Sequence, residues 1–211
     1  MTEHPREEET GRATFGVSPL ASRAHLCVFH RGRSERDALL IPFLAEGVRH
    51  GDPSLCLAAD GEAETTAAQL RKAVPDGYDL VTLREPGSGH LRTGHFDSEV
   101  LRADLLEWSD RIFADPEVTA GRMASDMSWA EPLLSPDLLD DILRSEVNVT
   151  RWVRSRPMTA LCFYDLDLFG GELIVPIVKA HPQVWMGGVL VENPYYHDSD
   201  VPVDGAAASD E

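Results

Sequence analysis

The chain has 211 residues, 43% of them hydrophobic, which is enough to bury one substantial core. Its 36 acidic side chains against 19 basic ones leave a formal charge of −17, a field that repels phosphodiester backbones and anionic bilayers, so direct nucleic-acid or membrane binding is not expected. No apolar run approaches the ~20 residues that cross a bilayer, and the acidic start MTEHPREEETGRATFG lacks the basic and apolar regions of a signal peptide; a cytoplasmic location is expected.

Residues 1–20 show no periodic apolar pattern and are expected to be disordered, as is the acidic tail 197–211, leaving one domain over 21–196. That domain begins with a β-prone run, AHLCVFH (24–30). A helix follows, with Ser34 as a candidate N-cap, Leu39, Leu40, Phe43, Leu44 and Val48 on one face, and Gly51 as a stop. SLCLAA (54–59) reads as a buried strand, Asp60 as the cap of a helix over 62–74, and YDLVTL (78–83) as a third strand. The breaker-rich stretch REPGSGHLRTGHF (84–96) predicts a long loop, and loops of that length often carry function. Asp97 opens a helix through about 114, and TAGRMASDM (119–127) contains a further strand. A helix over LLDDILRSEVNVTRWVRS, a strand at MTALCFYD (158–165), a helix over 171–181 and a last strand, VWMGGVLV (184–191), bent by its two glycines, complete the chain. Short apolar runs alternating with amphipathic stretches predict an α/β fold, a mostly parallel sheet flanked by helices in three layers.

An α/β nucleotide-binding fold places a glycine-rich turn closed by Lys and Ser or Thr after its first strand. Here that position reads HRGRSER, with one glycine and no lysine. Arg31 and Arg33 are conspicuous in so acidic a chain, yet a solvated basic turn explains them more simply than an anion site. Cys27, Cys56 and Cys162 are odd in number, flanked by apolar residues and without a CxxC pair, so they read as reduced core thiols, and neither a disulfide nor a thiolate zinc site is expected. No catalytic motif appears and no cofactor is expected. The scattered histidines read first as structural: His25 at a strand start, His181 at a helix end, and His90 and His95 in the long loop. The best candidate for a ligand pocket joins SDMSW (125–129) to Glu146 and LCFYD (161–165), with Trp129 and Tyr164 as apolar walls and His25, Asp126, Glu146 and Asp165 as polar anchors. The three acids match no metal-loop spacing, and capping or helix-surface roles explain them equally well.

These segments, in order, resemble the MEDS domain, the methanogen and methylotroph sensory domain named for a regulator of dichloromethane metabolism. The likeness spans about 24–196 and rests on AHLCVFH, LLIPFLAEGVRHGDPSLCLAAD, HLRTGHFD, DMSW, RSEVN, TALCFYD and AHPQVWMGGVLVENPYY. The family pattern usually has Glu at Asp126 and often Tyr at His30; both departures keep hydrogen-bonding capacity. The resemblance implies a RecA-like fold that has lost its phosphate loop, which agrees with HRGRSER. It also implies a sensor of small, hydrocarbon-like molecules that signals to a histidine-kinase-like, anti-sigma-type or transcription-regulating partner, with homo-oligomers possible. Two other readings stay open: a partner-switching protein that takes no ligand, and a residual nucleotide-binding enzyme using Arg31, Arg33 and Asp165.

Overall fold

The computed structural model describes residues 10–16 and 18–196; the disorder expected at 1–9 and 197–211 lies outside the described residues. Residues 10–16 and 18–20, also expected to lack structure, belong instead to an antiparallel hairpin of β1 (Thr10–Phe15) and β2 (Ser18–Ala21). Two large apolar side chains seat it on the core. Leu20 is buried, and Phe15 packs edge-on against Phe43, Phe163 and Trp185, with ring centroids 6.1, 6.4 and 4.8 Å away.

The remaining strands are β3 (His25–His30), β4 (Ser54–Leu57), β5 (Val81–Arg84), β6 (Gly121–Asp126), β7 (Met158–Asp165), β8 (Gln183–Met186) and β9 (Val189–Glu192). They form one sheet in the order β5-β4-β6-β7-β3-β8-β9, parallel throughout except for β9. Strands β3, β4, β6 and β7 are buried along their whole length, as a sheet covered on both faces requires. Alternation then sorts their side chains. Leu26, Val28, Cys56, Ala124, Leu161 and Phe163 pack under helices α1 (Gly32–Arg49) and α2 (Ala63–Ala73). Cys27, Phe29, Cys162 and Tyr164 face the opposite way, toward α4 (Pro136–Ser155) and α5 (Gly171–Ala180). Leu55, Met123 and Ala160 do the same beneath α3 (Ser98–Ile112) and α4.

The three-layer α/β class is as the sequence pattern predicts. The last strand is instead a hairpin, β8–β9, turned by Gly187 and Gly188 at φ of 60° and 84°, a region that favours glycine. Helix α1 starts at Gly32 with Arg31 as its N-cap, ahead of Ser34, and α2 has Glu62 at its N-cap position, so Asp60 does not cap it. Asp97 does cap α3, accepting from the backbone N–H groups of Glu99 and Val100. Tyr78–Leu80 form a 3-10 turn, which shortens the third predicted strand to Val81–Arg84. All three cysteines are free and buried. Among the described residues no helix is long and apolar enough to cross a membrane.

Candidate functional site

Crossovers between parallel strands are right-handed, so the direction in which the chain moves across the sheet selects the face its helix covers. From β3 to β4 to β5 it moves one way, laying α1 and α2 on one face; from β5 through β6 and β7 to β8 it moves back, laying α3, α4 and α5 on the other. Adjacent pairs, β3/β7 and β4/β6 among them, therefore send their chains to opposite faces. Such switch points open crevices at the carboxyl ends of strands, where ligands of open α/β sheets bind.

The β3/β7 crevice is closed by the protein itself. Asp165, at the end of β7, accepts the Gly32 backbone N–H at 3.1 Å on each carboxylate oxygen and the Asp167 N–H at 2.9 Å. A carboxylate thus occupies the turn where a nucleotide fold would hold phosphate. His30 donates through Nδ1 to the Gly32 carbonyl at 3.2 Å. Arg31 pairs with Asp167 at 2.5 Å and Arg33 with Glu62, so both turn arginines already have acidic partners.

The β4/β6 crevice is open. It holds a cleft of about 400 Å³ between the segments that follow β4, β5 and β6, walled by Leu91, Trp129, Pro132 and Leu133 with Asp60, Glu62 and Ser128 as polar neighbours. Behind it, Asp126 accepts from Arg36 at 2.8 Å and from the Ser128 backbone N–H at 2.8 Å, which fixes the turn carrying Trp129. Glu62 (2.6 Å) and Asp37 (2.7 Å) complete the coordination of the Arg36 guanidinium. The indole of Trp129 stacks on Phe96 (4.9 Å, 26°) and meets His90 edge-on (4.9 Å). The Trp129 indole N–H and His90 Nε2 are both buried and find no hydrogen-bond partner among the described residues. Burial pushes the His90 imidazole down to about 4, so it is neutral near pH 7. His90 is therefore part of a core, not the exposed loop residue that its sequence context implies; His95 is exposed.

A third group lies inside the layer between the sheet and α4/α5. Glu146 of α4 accepts the Tyr164 hydroxyl on Oε1. Its Oε2 lies 3.3 Å from His25 Nε2, 3.3 Å from His181 Nε2 and 3.5 Å from Cys162 Sγ, and His25 Nε2 is 3.4 Å from Cys162 Sγ. All of these side chains are buried. The outer nitrogens are engaged elsewhere. His181 Nδ1 is 2.9 Å from the Ile177 carbonyl, which can only accept, and His25 Nδ1 is 2.9 Å from Thr150 Oγ1, whose own proton goes to the Glu146 carbonyl at 3.1 Å. Burial, reinforced by His181, pushes His25 down to about 4. Burial alone would raise Glu146, but His181 and His25 hold its carboxyl well below the usual range, and burial together with Glu146 pushes the Cys162 thiol well up.

The six residues predicted to form one pocket are thus divided. His25, Glu146 and Tyr164 meet in the buried cluster, Asp126 braces the β4/β6 cleft that Trp129 walls, and Asp165 fills the β3/β7 turn on the α1 side of the sheet. Sequence reasoning missed Arg36, His90, Cys162 and His181 as site members. Spacing could not have found them, because the partners that place them in a site, Asp126 for Arg36, Trp129 for His90 and Glu146 for Cys162 and His181, come from other segments of the chain.

A family model described as the methanogen/methylotroph, DcmR sensory domain, MEDS, matches residues 24–182. The chain belongs to the MEDS family. Within the MEDS match lie β3 to the end of α5, both switch points and the buried His25, Glu146, Cys162, Tyr164 and His181. A curated relative, the transcriptional repressor DcmR of Methylorubrum extorquens (strain DSM 6343 / CIP 106787 / DM4), is 23% identical over 174 residues, 79% of this chain. The chain matches 61% of that repressor's length. The fold is similar to that of a KaiC-like protein, PH0186, from Pyrococcus horikoshii OT3, with a TM-score of 0.56 at 8% identity over 82% of this chain and 79% of that one. This likeness bears out the RecA-like class for the MEDS domain here.

Proposed function

We propose that this MEDS domain is a regulatory, sensory module. In this reading it takes a small, largely apolar molecule with one hydrogen-bond acceptor into the β4/β6 cleft. It then passes that event to a kinase-like, anti-sigma-type or transcription-regulating partner. The observation that carries the reading is the buried, unpartnered indole N–H of Trp129 on a turn that walls a partly apolar cleft at a switch point. A buried donor left unpaired is costly, so a ligand that satisfies it gains affinity from the contact. Asp126 serves indirectly, by holding Arg36 and Ser128. The relation to a transcriptional repressor supports the regulatory part, and the family description supports the sensory part. The carboxylate in the β3/β7 turn disfavours a nucleotide as the ligand.

The test is thermal-shift screening against short-chain alcohols, aldehydes, ketones and haloalkanes, followed by calorimetry on any compound that stabilises. Trp129→Phe keeps most of the wall and removes the N–H, and is expected to weaken an oxygenated ligand roughly 3- to 10-fold, the loss of one net hydrogen bond. Trp129→Ala should abolish the shift. A panel in which nothing stabilises the wild-type protein, or a ligand whose shift survives Trp129→Ala, would place the sensed molecule elsewhere.

A further inference from the structure

The buried cluster has an electrostatic problem that its hydrogen bonds do not solve. With Nδ1 of each ring donating outward, to Thr150 Oγ1 and to the Ile177 carbonyl, the neutral imidazoles of His25 and His181 present their Nε2 lone pairs inward. Both face the same carboxylate oxygen, Glu146 Oε2, at 3.3 Å. His181 Nε2, although that near, makes no hydrogen bond to it and is one of the few buried polar atoms without a partner among the described residues. Two lone pairs and a carboxylate oxygen brought together in a buried space, with a sulfur beside them, are an arrangement of acceptors that needs a positive centre.

The distances fit one. Four donors about 2.1 Å from the centre of a tetrahedron are separated by edges of about 3.4 Å, with lone pairs aimed at the centre and not along the edges. Four of the six separations lie near that edge, at 3.3 Å (His25–Glu146), 3.3 Å (His181–Glu146), 3.4 Å (His25–Cys162) and 3.5 Å (Cys162–Glu146); the other two, from His181 to His25 and to Cys162, fall within 4.8 Å, so a bound ion would draw the His181 ring inward. The out-of-line approach of His181 Nε2 to Oε2 is what ligands on one metal show. The outer partners are those that metal sites use to fix a histidine tautomer: a carbonyl for His181, a hydroxyl for His25 and the Tyr164 hydroxyl on the second carboxylate oxygen.

We propose that His25 Nε2, Glu146 Oε2, Cys162 Sγ and His181 Nε2 bind one tetrahedral divalent cation of the zinc type. Binding displaces the Cys162 thiol proton to solvent, so a dication meets one thiolate, one carboxylate and two neutral imidazoles, and the buried unit is neutral. With all four positions supplied by protein, the site is closed and structural: it ties β3, β7, α4 and the end of α5 together. Sulfur and imidazole favour zinc over magnesium or calcium. The site is separate from the β4/β6 cleft, so its failure and that of the ligand proposal are distinguishable.

Elemental analysis of the full chain, purified and then loaded with zinc, is expected to give about one equivalent per chain. Loading with cobalt(II) should give visible ligand-field bands of tetrahedral intensity and a thiolate-to-cobalt charge-transfer band in the near ultraviolet. Cys162→Ser should lose the charge-transfer band, and Cys27→Ser, whose sulfur is not among the four donors, should keep it. Stripping the metal should lower the melting temperature by roughly 5 °C or more. Substoichiometric metal in the loaded wild-type protein, an octahedral cobalt spectrum, or a charge-transfer band that persists in Cys162→Ser would each overturn the proposal. Should Cys162→Ser not fold, the wild-type stoichiometry and spectrum still decide.

Discussion

Replacing Arg122 by Met should lower the free energy of unfolding by about 3–5 kcal/mol, the usual cost of removing one partner from a buried charged pair. Arg122 lies on the interior strand β6 with its side chain 1% exposed. Its guanidinium contacts Asp52 at 3.1 Å, Glu46 at 2.5 Å and the Phe43 carbonyl at 3.0 Å. Glu46 in turn accepts the Thr14 backbone N–H at 3.1 Å, so one arginine links β6, α1 and the N-terminal hairpin. Methionine would fill much of the volume but strand the buried Asp52 carboxylate without its counter-ion. The site has no room for adjustment, since a Cβ on Gly47 of α1 would stand 2.6 Å from Arg122 Cδ. Urea unfolding at pH 7 measures the loss. A further Asp52→Asn substitution should recover part of it, because it removes the stranded charge. A loss below about 1 kcal/mol would mean that the guanidinium is not the joint described here.

Acid should destabilise the metal-free protein well above the carboxylate range. Burial lowers both His25 and His90 from 6.5 to about 4, so between those values the unfolded chain binds protons that the folded protein refuses. The contribution of each is fully present above pH 6.5, is lost as pH falls, and levels off below about 4. From pH 7 to pH 5 each histidine accounts for about 2 kcal/mol, at 1.36 kcal/mol per unit of pKa. Glu146, held below its ordinary 4.5, loses its contribution only at lower pH and stays outside that window. Urea midpoints at pH 7 and pH 5 check the drop, and His90→Gln should remove about half of it. A flat profile over that range would show that neither imidazole is buried neutral.

The fold was legible wherever burial acts on contiguous residues. AHLCVFH and MTALCFYD are apolar on both faces because β3 and β7 lie at the centre of a covered sheet, and their shortness and β-prone residues mark them as strands. The N-terminal hairpin was not legible, because Phe15 and Leu20 are single apolar side chains among Thr, Gly and Ser, and their burial depends on Phe43, Phe163 and Trp185 far along the chain. The double glycine of β8–β9 signalled a break, but whether the strand bends or reverses depends on pairing with β3, which local sequence does not encode.

For the site, residue types were legible and grouping was not. Asp126 and Trp129 were found together because three positions separate them on one turn, whereas their working partners Arg36 and His90 come from other segments. Tyr164 and Asp165 are adjacent in sequence and face opposite sides of the sheet, one toward Glu146 and the other toward Gly32. Period-2 alternation alone would have separated them. His181 and Cys162 each read correctly as buried; that they are buried against the same carboxylate follows only from the packing of α4 and α5 on β3 and β7.

The central claim, that the β4/β6 cleft receives the sensed molecule on Trp129, is tested most directly by the indole N–H signals in a nitrogen–proton correlation NMR spectrum. The chain has 4 tryptophans. Those of Trp108 and Trp152 donate to Thr82 Oγ1 and Ser109 Oγ, both at 3.1 Å, whereas Trp129 has no partner among the described residues. With its signal identified by its loss in Trp129→Phe, titration with a stabilising compound should move the Trp129 resonance to saturation while those of Trp108 and Trp152 stay in place. A compound that stabilises the protein and leaves the Trp129 signal unmoved would contradict the account.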